Sequence, residues 1–498
     1  MKRLILFSPF LIGVLGIALA GCGSTTISGS LGNGGGGGSV QTVPISFNIS
    51  DAPPANVVIL RFQIQVTSAS LQPSATNSSQ QPVSMLTSAA TVELTQLQSE
   101  SALLSNLSVP AGTYTSLTAG FANPQMTILN RTGAPLTVGS QSCAAGAVCT
   151  VTPTLNQTSA TDEAAPFPIT LSSASPVALV LHFDVNTSVQ NDLSVSPTIS
   201  LKALPPMANG ALEQFHMMGR INSINATAGS FTLQIGSVGG SPSPALSLIV
   251  TTNSNTQYEF GSVCAADTFA CLAVGQVVRV GLNGMPDGTL VASIVELIEP
   301  PGLPVLEGLV IGVNTAQDQV ELALMDFQDN SQGQLATAQA VFGLAVIVQL
   351  STTTTFNIDT DGITLPTSSG LSFASVNDIM VGQTLAIGPA ASAIQATGAG
   401  PTLQLALAAS NVRLESSEVT ATVESVGSST FTIAKVPPLY ATPTPPITEI
   451  IVEPVAGTNF VNVSGLSGLA DGDTVSVGGL LFNTPNVPTL IAERVMLR

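Results

Sequence analysis

"GQVVRVG", residues 275–281, places a turn glycine and a polar residue ahead of alternating apolar positions, with Val278 and Val280 on one face and Arg279 on the other. That period of two is the mark of a strand with one buried side. The pattern returns as "GQTLAIG" at residues 382–388 and as "GDTVSVG" at residues 472–478. Each copy is followed by Ala-x-x-Val-x-Leu: Ala292, Val295 and Leu297, then Ala409, Val412 and Leu414, then Ala492, Val495 and Leu497. Upstream stand "GRINSI", "GLVIGV" and "TATVESV" as openings, then "FTL" at Phe231, "VEL" at Val320 and "FTI" at Phe431. A Thr-x-aromatic step recurs at Thr256 and Tyr258, Thr354 and Phe356, and Thr458 and Phe460. Five short strands repeated three times in one order predict three small domains over residues 219–300, 306–417 and 418–498. Five strands that must hide their edges close into a barrel, here of OB-like type.

Residues 43–205 also alternate, but without the repeat. "VPISFNI" puts Val43, Ile45, Phe47 and Ile49 on one face, and "LRFQIQV" does the same with Leu60, Phe62, Ile64 and Val66. "PVALVLHFDV" adds Leu179, Leu181 and Phe183. One interval, "VELTQLQSESALLSNL", has helix-like spacing at Leu94, Leu97, Leu103 and Leu104. The simplest packing is an all-β sandwich. The strand ending Ser50-Asp51-Ala52-Pro53, the "VELTQL" stretch, the "PAGTYTSL" turn and "LHFDVNTSV" together resemble a family of uncharacterised bacterial lipoprotein domains. The resemblance implies an Ig-like or prealbumin-like sandwich on the cell envelope and brings no activity with it. The three repeats resemble a second uncharacterised family, of small β-barrel domains in secreted and lipid-anchored bacterial proteins. The middle copy departs from it with an insertion around "FQDNSQGQLATAQA". Residues 206–218 read as a linker, and "EPPGLP", Glu299 to Pro304, as a stiff connector between the first two barrels.

The N-terminus assigns a compartment. Met1, Lys2 and Arg3 precede an apolar run, Leu4 to Ala20, with the charge and length profile of a secretory signal. Leu19-Ala20-Gly21-Cys22 resembles the bacterial lipobox, which implies cleavage before Cys22 and acylation of its thiol. Residues 1–22 are then a leader with its lipid site. Residues 23–42, rich in Gly and Ser, form a tether with an end-to-end distance of about 25 Å. The expected location is extracytoplasmic and lipid-anchored, at the outer membrane on its periplasmic or surface side.

Composition agrees. The 498 residues carry 29 acidic against 11 basic groups, a net charge of −18, and two of the basic ones precede Cys22. Nucleic acid as a partner requires clustered Lys and Arg, which this chain lacks. With Cys22 set aside, four cysteines form two local pairs, Cys143 with Cys149 and Cys264 with Cys271, expected as disulfides in an oxidising compartment. Neither pair has the spacing or the neighbouring histidine of a zinc site.

Catalysis needs titratable groups in mutual reach. The histidines are His182 and His216, one on a sheet face and one in the linker, and no nucleophile elbow or phosphate loop appears. No catalytic residue, metal ligand or cofactor is assigned. The acidic loops at Asp359–Gly362, Asp326–Asn330 and Asp471–Asp473 lack the later ligands of a calcium loop. With no Trp and three Tyr, stacking platforms for glycans are scarce. The sequence therefore predicts a lipid-anchored envelope protein with a structural, adhesive or protein-binding role. Recognition of a polysaccharide or small ligand is the alternative, and a hydrolase with an unrecognised site the third.

Overall fold

The computed structural model describes residues 42–498, apart from 53–57, 75–80, 98–101, 173–176, 205, 208–209, 236–245, 261–263, 265, 298–304, 329–344, 361–362, 367–369, 390–394 and 398–403. Cys22 with its flanking motif, the tether, the "EPPGLP" connector and most of the middle-repeat insertion lie outside the described residues. The fold is all-β, and residues 41–498 form one compact unit. Among the described residues no helix is long and apolar enough to cross a membrane.

Two sheets make the N-terminal sandwich. One runs Ile199–Leu204, Ala178–Asp184, Thr42–Ala52, Ala102–Pro110, with the second and third strands parallel. The other is built on the long antiparallel pair Ile59–Pro73 and Gly112–Leu129, each carrying shorter strands. Alternation fills the space between them: Phe62 and Ile64 from one sheet meet Leu179, Leu181 and Phe183 from the other. The Phe183 ring takes edge contacts from Phe62 at 5.9 Å and Phe121 at 5.4 Å, the arrangement that aromatic quadrupoles favour.

The distinctive motifs of this region are structural devices. In "VELT" the buried Glu93 carboxylate accepts from Arg61 Nε at 2.5 Å, from the Phe62 and Thr95 amides at 3.0 Å, and from the Thr95 hydroxyl at 2.6 Å. In "PAGTY" the hydroxyl of the buried Tyr114 donates to the Pro110 carbonyl at 2.7 Å and closes the turn. In "FDVNTS" Asp184 caps the single helical turn Val185–Ser188 by accepting from the Thr187 amide. The helix-like leucine interval is instead one 3-10 turn, Leu94–Leu97, followed by the strand Ala102–Pro110. Leu103 and Leu104 consequently face opposite ways, one into the first barrel's core and one into the sandwich's. A period of two across two cores had imitated a helical stripe.

Three sheets follow, each containing a five-stranded ring closed by the same pairing; the first also carries Gln257–Glu259, and the second Thr355–Ile358 and Gln395–Thr397. The first uses Glu213–Asn225, Ser230–Ile235, Leu246–Thr251, Val277–Gly284 and Leu290–Leu297. The second uses Val305–Asn314, Gln319–Gln328, Ala345–Gln349, Thr384–Pro389 and Gln404–Glu415. The third uses Ser417–Val426, Phe431–Ala434, Glu449–Val461, Thr474–Phe482 and Thr489–Leu497. In all three the opening strand lies between the second and the fourth, and the third closes the barrel in parallel with the fifth. The opening strand of the first barrel begins at Glu213, so residues 213–218, His216 among them, belong to the barrel and not to a linker.

The recurring letters have one explanation in every copy. Gly275, Gly382 and Gly472 take φ of +92°, +93° and +94°, values that favour glycine. Their amides donate to Ile221, Val310 and Val423 of the opening strand, whose own amides bond back to residue 276, 383 or 473. The polar side chain after the glycine accepts from the amide three residues earlier: Gln276 from Ala273, Gln383 from Met380, Asp473 from Ala470. The Thr of the Thr-x-aromatic step donates to the carbonyl of the motif alanine, Thr256 to Ala292, Thr354 to Ala409, Thr458 to Ala492, at 2.6 to 2.9 Å.

The barrels are not strung out in series. Leu480 and Phe482 of the third barrel enter the second barrel's core while Leu481 between them enters its own. Gln383 of the second barrel donates to the Leu481 carbonyl, and Tyr440 of the third lies where a Cβ on Gly382 would sit. Val58, Leu60 and Leu129 on the outer face of the sandwich share a further cluster with Ile311, Ala323 and Val381 of the second barrel and Leu439 of the third.

Candidate functional site

Among the described residues, two places between barrels bring chemistry-bearing side chains together. The first is a charge cluster. Strand alternation sends Val278 and Val280 into the first barrel and Arg279 outward, directly opposite Glu296 on the neighbouring strand. The second barrel presents Asp359, Arg413 and Glu415 to the same place. Arg279 donates through Nη1 to Asp359 at 2.5 Å and through Nη2 to Glu415 at 2.9 Å, with Glu296 at 3.4 Å. Arg413 donates through Nε to Glu415 at 2.6 Å and reaches Glu296 at 3.4 Å.

Three carboxyl groups thus share two guanidinium groups where water is nearly absent; the Glu415 side chain is 2% exposed. Burial disfavours the charged form of an acid, and opposite charges favour it. Burial prevails at Glu296, which is pushed up to about 8 despite Arg279 and Arg413. Glu415 is raised for the same first cause, against Arg279 and Arg413 and with a further push from the neighbouring Asp359. Burial thus works against full ionisation of the cluster. Its five members are held by one another, which makes it a clamp between barrels.

The second place is a cavity of about 300 Å³ where the first and third barrels face each other, edged by Ile363 of the second. Asn255, Gln257 and Ser293 line it from one side, and Gly457, Asn459, Glu493 and Arg494 from the other. Arg494 is steadied by donating to the Gln214 carbonyl at 3.2 Å.

The residues singled out from sequence distribute differently. Cys143 and Cys149 are bonded at 2.06 Å, and Cys264 and Cys271 at 2.03 Å. His182 stands on the sheet face away from the sandwich core, half-buried, where burial first, then Arg498 and Lys202, lower its pKa to about 4. It is therefore neutral at physiological pH. His216 pairs Gly281 in backbone register, with its side chain outside the described residues. Asp359, weighed as the start of a calcium loop, is committed to the guanidinium groups instead, and Asp473 to its turn amide. Asp361 and Gly362 of that loop lie outside the described residues, as does the Asp326 side chain.

Sequence reading missed both inter-barrel places. The signal for the clamp was present: in a chain with only 8% charged residues, Arg279, Glu296 and Arg413 each sit between apolar neighbours in a strand. Such a position is solvated or meets an opposite charge, and strand patterning carries no register between barrels with which to choose.

Comparison with known families covers the two regions separately. Residues 42–203 match the model of a domain of unknown function (DUF4382), and residues 218–296 that of a second domain of unknown function (DUF5666). No curated protein matches the chain. The chain is thus similar to one uncharacterised domain over its sandwich and to another over its first barrel, in that order.

Proposed function

We propose that this is a lipid-anchored protein of the bacterial cell envelope whose folded part acts as a rigid, non-catalytic body presenting loops to an envelope protein or polysaccharide. The second and third barrels are read as further copies of the domain matched by the first, because they share its strand pairing, its turn glycines and its threonine stitch. The observation that carries the reading is the buried clamp of Arg279, Glu296, Asp359, Arg413 and Glu415. A chain that spends its scarce charges on fixing one barrel against the next is built for shape. Both disulfides suit an oxidising compartment, the leader ahead of Cys22 supplies export, and the Cys22 thiol supplies the anchor.

Cross-linking in intact envelopes followed by recovery of the full-length chain tests this. A defined envelope component captured by the wild-type chain and lost with Cys22→Ser supports it. Capture of nothing from the envelope, or turnover of a substrate that disappears with His182→Ala, overturns it.

A further inference from the structure

We propose that the cavity between the first and third barrels binds a single neutral sugar ring or a polyol of that size. Its walls come from equivalent positions of two copies of one fold. Asn255 and Gln257 flank Thr256, as Gly457 and Asn459 flank Thr458, and Ser293 follows Ala292 as Glu493 follows Ala492. The two threonine hydroxyls are consumed by the strand carbonyls. The side chains of Asn255, Gln257, Ser293 and Asn459, the first two exposed and the others half-buried, line the space and make no hydrogen bond among the described residues.

Chemistry narrows the occupant. Carboxamides and a hydroxyl offer donors and acceptors in comparable number, which suits vicinal hydroxyl groups. Glu493 and Arg494 offset each other, so the site has no net charge to select a phosphate or a polyamine. Among the described residues no aromatic ring lines it, so no stacking surface for a nucleobase is offered there. A volume of about 300 Å³ is at the lower end for ligand pockets and admits one ring, not a chain of them. Two barrels must pack together for the walls to meet, so the site belongs to the assembled body.

Isothermal titration of the full-length chain in detergent with glucose, N-acetylglucosamine and glycerol as neutral probes, and with glucose 6-phosphate and benzoate as controls, tests the proposal. One-site saturable binding of a neutral probe is expected, weakened at least tenfold by Asn459→Leu and by Ser293→Leu at unchanged melting temperature. Gln257→Leu, on an exposed rim position, gives the same readout should either variant fail to fold. Saturation by no neutral probe, equal binding by all folded variants, or binding of the phosphate or benzoate alone overturns it and leaves the cavity as a water-filled seam.

Discussion

Arg279 of the first barrel and Asp359 of the second, 80 residues apart in the chain, meet at 2.5 Å in a cluster whose carboxyl groups outnumber its guanidinium groups. Removing Arg279 leaves Glu415 and Asp359 with one cation in place of two. Breaking a buried pair from one side costs about 3–5 kcal/mol, whereas replacing a whole cluster by apolar groups is often neutral. Arg279→Met should therefore lower unfolding stability by that amount in urea titration, and Arg279→Met with Glu415→Leu should recover part of it. Equal stability of Arg279→Met and wild type would show that the clamp carries no load.

The clamp also sets a pH dependence. Glu296, raised to about 8 in the folded chain, binds more protons there than when unfolded, so its contribution is complete at low pH and is lost as pH rises toward 8. His182, lowered to about 4, works in the opposite sense, its contribution lost as pH falls from its unfolded value near 6.5. Between pH 6.5 and 8 only the first trend operates of the two. Stability should fall across that window, and Glu296→Gln should flatten the fall; an unchanged slope in the variant would remove Glu296 as its source. Arg279, Arg413, Asp359, Glu415 and Glu307 are the charged groups that act on this cluster.

One turn used three times separates backbone strain from contact. Gly275 and Gly472 have open space where a Cβ would go, while at Gly382 it would overlap the Tyr440 ring. Gly275→Ala and Gly472→Ala should each cost about 1–2 kcal/mol, the penalty of a left-handed residue. Gly382→Ala should cost clearly more, and Gly382→Ala with Tyr440→Leu should return to the level of the other two. Three equal melting shifts would mean that Tyr440 does not seat there.

How much of this was legible follows from what each feature depends on. Strand period, turn glycines and the Thr-x-aromatic step are local, and each maps onto a bond made within one barrel, such as Thr458 to the Ala492 carbonyl. The pairing of Cys143 with Cys149 spans six residues and was equally local. Features set by packing between domains were not legible. Leu103 and Leu104 serve different cores, the strand Thr474–Phe482 is buried on both faces because it lies against a second barrel, and Arg279 reaches Glu415 across 136 positions. Periodicity reports that a face is covered and is silent about what covers it.

The disulfides bear on compartment. Each closes a short loop, where a bridge contributes about 2 kcal/mol by constraining the unfolded chain. Natively expressed protein should label at none of Cys143, Cys149, Cys264 and Cys271 when alkylated under denaturing, non-reducing conditions, and its melting temperature should drop on reduction. Labelling of these four would place the chain in a reducing compartment.

The lipid anchor at Cys22 is the claim on which location and role both rest, and the intact mass of the N-terminal peptide from natively expressed protein tests it most directly. The expected species begins at Cys22 and carries diacylglycerol on the thiol. A chain that retains residues 1–21, or a Cys22 without fatty acid, would contradict the account.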